Sequence, residues 1–461
     1  MFDQHDHLSA MIQRGRDAQR KVAHWDQKHI DRLVAAAGLQ MWDAHLAQDL
    51  SEKALAETGL GRCDHMFERH RLRVWGILSD LHGQPSCGVV ERDEARGIVK
   101  FAQPVGMICV MIPATAPAAA VACNALNVLK TRNAALFCPN PRAKRVVAET
   151  VAILRDTISR LGAPADLLQV LEDPNREAAD AASGMSDLVI ATGGQGVTDR
   201  ARKGPTPAWI AGVGNAAVLI DDSADVRRAS EAIVRGKSFD NATSCSAENT
   251  VLVDRSVSQH FRDTLREFGA HIVSDDEAER LDVFLHTNPK DAAQSCAGKS
   301  AQQIAAMIDL HVADDVRLLT VDHGCKAVSA RWTTPRLFPV LSIQEVESFE
   351  EGLETLVKLI TGSGKGHSCG IFTQNKDRAE QVAKSIPVGR VMANQSTGMG
   401  NTGSVSNNMP FTMTLGCGTW GGGLTTDNVG WRSLINITTL SYPAERRMVD
   451  PNELFADLHD L

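Results

Sequence analysis

Through residues 7–60 apolar side chains recur three and four apart, in "HLSAMIQRGRDAQRKVA" and "HIDRLVAAAGLQMWDAHLAQ", the spacing of one face of a helix. Near residue 87 the texture changes. The stretch "CGVVERDEARGIVKFA" has two β-rich arms about a polar turn at Asp93–Gly97, which predicts a hairpin over about 87–102. From about 104 the apolar runs become continuous: "PVGMICVMIP" and "AALFC", with a helical segment at 118–130 between them. "AKRVVAETVAILRDTISRLG" predicts a long helix ending at Gly162, a residue suited to a helix C-terminus. "DLLQVL", "DLVIATGG" and "AAVLIDD" continue the series of strands. After residue 245 the same texture returns: "TVLVD", a helix over 256–268, "RLLTVD", a helix near 344–360, "SCGIFTQ" and a helix over 376–385.

Strands that are apolar on both faces and alternate with helices predict parallel sheets covered on each side. The fold class is therefore α/β, with two parallel-sheet units and a cleft between them. "SLINITTLSYP" (433–443) is strand-like and lies outside both units. With the early hairpin it predicts a small third sheet that serves oligomer formation. The expected organisation is 1–222 for a first unit, 223–430 for a second, and 431–461 for a C-terminal strand and tail.

Composition excludes some classes. The 461 residues are 43% hydrophobic and 23% charged, with a formal charge of −8, which argues against a general nucleic-acid partner. No apolar stretch approaches the ~18–20 residues a bilayer span needs. The N-terminus "MFDQHDHLSA" lacks the basic start and apolar run of a signal peptide, so the chain is expected to be cytoplasmic. Ten cysteines occur without a CxxC pair, which predicts neither a zinc site nor a disulfide scaffold.

One of them stands apart. Cys245, in "SFDNATSCSAENTVLV", follows Asn241, Thr243 and Ser244 and precedes a strand-like run, whereas Cys109 and Cys138 sit in core strands. Two readings stay open from the residues alone: a buried small side chain near a turn, or a nucleophile at a strand end. The turn "DLVIATGGQGVTD" offers Gly193, Gly194 and Gly196 for close approach of a pyrophosphate beside a helix N-terminus. "IAGVGNAAVLIDD" fits either such a contact or a tight turn before a buried strand.

Taken in order, "PVGMICVMIPATAP", "LKTRNAALFCPNPRAK", "GAPADLLQ", "DLVIATGG", "GVGNAAVLIDDSAD", "SFDNATSCSAENTVLV", "GKGHSCGIFT" and "TLGCGTWGGG" resemble the CoA-acylating aldehyde dehydrogenases over nearly the whole chain. The group includes the aldehyde dehydrogenase half of the bifunctional aldehyde–alcohol dehydrogenases and enzymes for succinate semialdehyde and sulfoacetaldehyde. The resemblance implies that Cys245 is the nucleophile, in the family's F-D-N-x-x-x-C-x-x-E pattern. His367 in "GKGHSCGIFT" matches a histidine of the acylating group and is a second candidate, for deprotonating CoA or ordering the cleft. Cofactor contacts are implied at Pro113, Thr115, Pro139, Asn140, Pro141, Arg142, Thr192, Gly193, Gly194, Gly214 and Asn215, with NAD or NADP as cofactor and coenzyme A as co-substrate. No metal is implied. A homodimer or homotetramer is expected, with a small aldehyde, anionic as in the resembling sulfoacetaldehyde and succinate-semialdehyde enzymes, as the other substrate.

Hydrolytic relatives carry a glutamate that activates water. Here "IAGVGNAAV" has no acid or histidine between Pro207 and Asp221, so the acyl group is expected to pass to a thiol. Three positions depart from the family. Ala116 stands where an oxyanion-holding asparagine is usual, Pro335 where an acid meets the nicotinamide ribose, and Asn140 where a histidine is usual. At the end of "AALFCP" no acid follows in the sequence, while Arg142, Lys144 and Arg145 do, which leaves NADP permitted. A non-acylating aldehyde dehydrogenase and a catalytically weakened oligomeric homologue are the competing readings.

Overall fold

The computed structural model describes residues 2–446 and 448–456. The chain opens with four helices, α1 (Phe2–Val22), α2 (Gln27–Trp42), α3 (Ala44–Thr58) and α4 (Cys63–Leu81). Asp43 separates the second from the third by accepting the Leu46 N–H as an N-cap. The sequence pattern predicts helix only to about 60. In α4 the inward positions Met66, Val74, Ile77 and Leu81 are joined by His70 and Arg73. Two polar residues at core spacing interrupt the apolar period.

The hairpin forms from β1 (Gly88–Asp93) and β2 (Ile98–Pro104), antiparallel to each other. Then β3 (Met107–Ile112), α5 (Pro117–Lys130), β4 (Ala134–Pro139), α6 (Lys144–Ser159), β5 (Leu168–Val170), α7 (Arg176–Met185), β6 (Leu188–Thr192), α8 (Gln195–Lys203) and β7 (Ala208–Ala211) follow. Their strands make a parallel sheet in the order β5-β4-β3-β6-β7. Every residue of β3 and β4 is buried, which is why they read as unbroken apolar runs.

The second sheet takes β8 (Ala216–Ile220), β9 (Glu248–Asp254), β10 (Ala270–Ile272), β11 (Leu318–Asp322), β12 (Val340–Val346), β13 (Gly366–Phe372) and β14 (Val388–Ala393), in the order β10-β11-β12-β9-β8-β13-β14, all parallel. Helix α9 (Val226–Ser238) links β8 to the loop that carries Cys245. Two expectations are corrected. The boundary at 222 puts β8 in the first unit, but β8 pairs with β9 and β13, so the first sheet closes at Ala211. The run "AAVLI" is apolar on both faces and would suit either sheet. The helix expected near 344–360 begins at Phe349, because 340–346 is the strand β12.

Strand β15 (Ile435–Ser441) pairs antiparallel with β2 and completes a three-stranded sheet, β1-β2-β15. Just before it, Trp431 and Leu434 join the core of the first unit, and the Trp209 indole N–H donates to the Ser433 carbonyl. The strand itself leaves Ile437 and Leu440 exposed, as is Tyr442 after it. Part of the expected tail, 447 and 457–461, lies outside the described residues. No helix among them is long and apolar enough to cross a membrane.

Candidate active site

The C-terminal ends of β3, β4 and β6 open into one cleft of about 890 Å³. In the order β5-β4-β3-β6-β7 the chain turns back between β3 and β6, which is where open parallel sheets take their ligands. Pro113, Thr115, Pro139, Asn140, Pro141, Thr192, Gly193, Gly194 and Gly214 all line this cleft, as do Ala116, Pro335 and Cys245. Gly194 begins α8 with no side chain capping its first amides. Those amides suit a pyrophosphate, and the cleft fits a nicotinamide dinucleotide.

Two implied contacts lie elsewhere. The Arg142 guanidinium donates to the Thr58 carbonyl at 2.6 Å, at the end of α3. The Asn215 amide donates to the Thr333 carbonyl at 2.6 Å and accepts from Asn249, and the residue is buried. Both hold the walls together. Lys144 faces Asp173 at 3.4 Å. At the N-terminus of α6, Glu57 accepts the Arg145 and Val146 N–H groups, both at 2.8 Å. An acid therefore does stand near the end of β4. It arrives from α3, out of sight of the local sequence.

Cys245 sits between two fixed points. Ahead of it, Asp240, Asn241 and Ala242 take left-handed backbone conformations, with φ of 50°, 51° and 60°. The wholly buried Asp240 carboxylate holds that turn. It accepts the Arg62 N–H at 2.7 Å, pairs with Arg69, and accepts the Thr243 hydroxyl. Behind the cysteine, Thr397 donates its hydroxyl to the Ser246 carbonyl, and Glu248 accepts from the Ser396 hydroxyl and the Thr397 N–H. Only glycine fits at 214: a Cβ there would fall 2.0 Å from the Cys245 carbonyl oxygen and 2.8 Å from the His367 ring.

His367 Nε2 lies 3.2 Å from Cys245 Sγ. On its other side Nδ1 meets the Ser368 hydroxyl at 2.9 Å, which in turn accepts from the Asn401 amide. The imidazole is wholly buried behind the sulfur and does not line the cleft, so its reach is to the Cys245 thiol rather than to a thiol entering from solution. Burial, assisted by the Arg390 cation, holds the ring's pKa down at about 3. Burial first, then the nearby Cys417 thiol, pushes Cys245 up to about 11. At neutral pH the resting pair is a thiol beside a free imidazole base. Arg390 is buried among the carbonyls of His367, Gly416 and Thr426, and its charge favours the thiolate when it forms. Among the described residues lining the cleft, Glu68 carries the sole carboxylate, and no group of His, Cys, Asp and Glu is arranged to hold a metal.

Residues 3–412 match the sequence profile of the Aldehyde dehydrogenase family. The chain belongs to the aldehyde dehydrogenase family. This aldehyde dehydrogenase is 35% identical to the acylating sulfoacetaldehyde dehydrogenase of Bilophila wadsworthia over 98% of both chains. It is 29% identical to the acetylating succinate-semialdehyde dehydrogenase of Clostridium kluyveri, over 94% of this chain and 95% of the relative. Its fold is similar to the crystal structure of an acetylating aldehyde dehydrogenase from Geobacillus thermoglucosidasius, with a TM-score of 0.92 and 28% identity over 97% and 99% of the two chains. The α/β class expected from the strand pattern is that of the family.

The sequence pattern missed Arg69 and Arg73, which α4 turns into the cleft of this aldehyde dehydrogenase beside Ala116 and Thr115. The available signal was faint: a basic residue at each of two positions four apart, on a helix whose apolar period they break.

Proposed function

We propose that this chain oxidises a small anionic aldehyde, sulfoacetaldehyde first, to its acyl-CoA. NAD is the hydride acceptor, and the working enzyme is a homo-oligomer. The observation that carries this reading is Cys245 Sγ at 3.2 Å from a buried, uncharged His367, in a cleft wall that offers no carboxylate beside the sulfur.

His367 Nε2 takes the thiol proton as Cys245 attacks the aldehyde carbon, and the alkoxide that forms is left to the backbone amides of the Cys245 loop, since the Ala116 side chain has no donor. A bound oxidised nicotinamide dinucleotide supplies the hydride acceptor. Loss of the hydride from the carbon of that alkoxide leaves an acyl thioester on Cys245, and His367 releases the proton it took. Water is a poor nucleophile toward a thioester without a base. The one cleft carboxylate, Glu68, is drawn toward Arg235 at 3.8 Å. The CoA thiol, ionising near ~8.5 as an ordinary thiol does, displaces Cys245 far more readily. The products are acyl-CoA and the regenerated Cys245 thiol.

The choice of NAD over NADP is supported by Glu57, which places a carboxylate on the first amides of α6, though Arg145 Nε lies 3.6 Å from it, and by Arg142, which is turned away to Thr58. The exposed apolar residues of β15 and the segment after it support a second copy covering the three-stranded sheet. The test follows reduced cofactor with sulfoacetaldehyde and NAD, with and without CoA. Turnover that requires CoA is expected. A fast steady rate without CoA would overturn the reading.

A further inference from the structure

Helix α4 presents Glu68, Arg69, Leu72 and Arg73 to the cleft, so two guanidiniums stand one turn apart on one face. Their surroundings differ. Arg69 is neutralised by the buried Asp240 and donates to the Thr115 carbonyl at 3.0 Å. Arg73 is 6% exposed, and among the described residues no carboxylate pairs with it. Its Nη1 donates to the carbonyls of Thr402 and Gly403, and its Cζ lies 5.6 Å from the Phe411 ring. No described residue bonds to its Nε or Nη2, and neither atom is fully sealed from solvent. Burial draws its pKa down to about 10, still well above neutrality, so the charge persists.

Several arginines of this chain are buried among carbonyls, Arg336 and Arg390 among them, but these two do not line the cleft. Among the described residues Arg73 joins three properties: burial, no counter-charge, and unpartnered Nε and Nη2 donors on a residue that lines the cleft. A guanidinium so placed costs free energy until an anion meets it, and its planar edge matches an oxyanion with two parallel hydrogen bonds. Ala116, Met399 and Thr402 line the same cleft as Arg73 and Cys245, and the small side chain at 116 takes up little of it.

We propose that Arg73, with Arg69 beside it, is the receptor for the oxyanion tail of the aldehyde, whether sulfonate or carboxylate, while the carbonyl end lies at Cys245. This rests on the reading of the chain as an acylating aldehyde dehydrogenase. The tail sets specificity by charge, since a neutral aldehyde of the same length leaves the cation unanswered.

The test compares kcat/KM for sulfoacetaldehyde, succinate semialdehyde and propanal, with CoA and NAD, in the wild type, Arg73→Met and Arg73→Lys. Ethanesulfonate binding is measured separately by calorimetry without turnover. Arg73→Met should lower the ratio of anionic to neutral kcat/KM by ~30–100-fold and weaken ethanesulfonate binding to a similar degree, with part of each restored by Arg73→Lys. Thermal melts identify a variant that has failed to fold. Equal loss on all three aldehydes in a folded Arg73→Met, or ethanesulfonate binding unchanged, would overturn the proposal. If the wild type turned over none of the aldehydes, the assigned reaction would fall, while the ethanesulfonate arm would still decide whether Arg73 receives an oxyanion.

Discussion

Replacing His367 with glutamine fills the same space with a side chain that cannot take a proton, and the outcome follows from the two ionisations. Burial places the Cys245 thiol at about 11, four pH units above neutrality, so unaided about one sulfur in 10⁴ is ionised at pH 7. In the wild type Nε2, 3.2 Å away, is the acceptor placed for that proton during attack, and because the lone imidazole is a weak base the transfer depends on the imidazolium and the sulfur anion stabilising each other as they form. A positioned base contributes about 10²–10⁴ in rate, and His367→Gln should lose that much of the acylation step at pH 7. The loss should shrink about tenfold for each unit of rising pH, because the variant depends on thiolate already present. The wild type should behave differently. Its imidazole is held at about 3 instead of the ordinary 6.5, so it remains a free base through the whole range above that and shows no fall in acylation as pH drops through 6.5. The assay is stopped-flow appearance of reduced cofactor in a single turnover from pH 6 to 9.5, with thermal melts to confirm folding. A His367→Gln enzyme within threefold of wild type at pH 7, or one with the same pH profile, would refute the role given to this pair.

Cys245→Ala should abolish reduced-cofactor formation while cofactor binding, followed by fluorescence titration, stays within a few-fold. A residual tenth of the turnover would disprove the nucleophile. Gly214→Ala drives a methyl into the Cys245 carbonyl at 2.0 Å, and should cost most of the activity along with a lower melting temperature. Ala116→Asn adds a donor but takes up space in the cleft that Arg73 also lines. On a panel of aldehydes it should raise kcat/KM for acetaldehyde, by up to ~2–4 kcal/mol of barrier, and lower it for sulfoacetaldehyde; no change on any substrate would show that residue 116 does not face the carbonyl. Asp240→Asn removes the partner of Arg69 and one anchor of the cysteine turn, which should destabilise the fold by about 3–5 kcal/mol in denaturant unfolding.

Much of this architecture was legible in the sequence because burial on both faces writes itself as unbroken apolar runs, and β3, β4 and β9 are such strands. Cys245 stood apart because its neighbours are small and polar where a core cysteine has aliphatic ones, but only the family resemblance pointed to it as a nucleophile. The same rule hid which sheet owns β8, since a strand buried on both faces looks alike in either. It also hid the role of His367, whose buried place behind the sulfur depends on how β13 and the cysteine loop meet. Direction was the other blind spot. Nothing local to Arg142 says that it turns to Thr58, and nothing local to β4 says that Glu57 comes from α3. The receptor arginines were masked because burying a cation on α4 breaks the very periodicity by which a helix is recognised.

Three successive residues ahead of the nucleophile, Asp240, Asn241 and Ala242, are held in a backbone region that side-chain-bearing residues disfavour. Each costs about 1–2 kcal/mol relative to an unstrained conformation, most clearly the alanine, which lacks a polar side chain to compensate locally. A search for heat-resistant variants that ignores catalysis should therefore arrive at Ala242→Gly early. Such a variant would also loosen the turn just before the cysteine. Thermal tolerance and the alignment of sulfur with imidazole are thus set against each other at a single residue, and breeding a tougher enzyme should leave this turn alone.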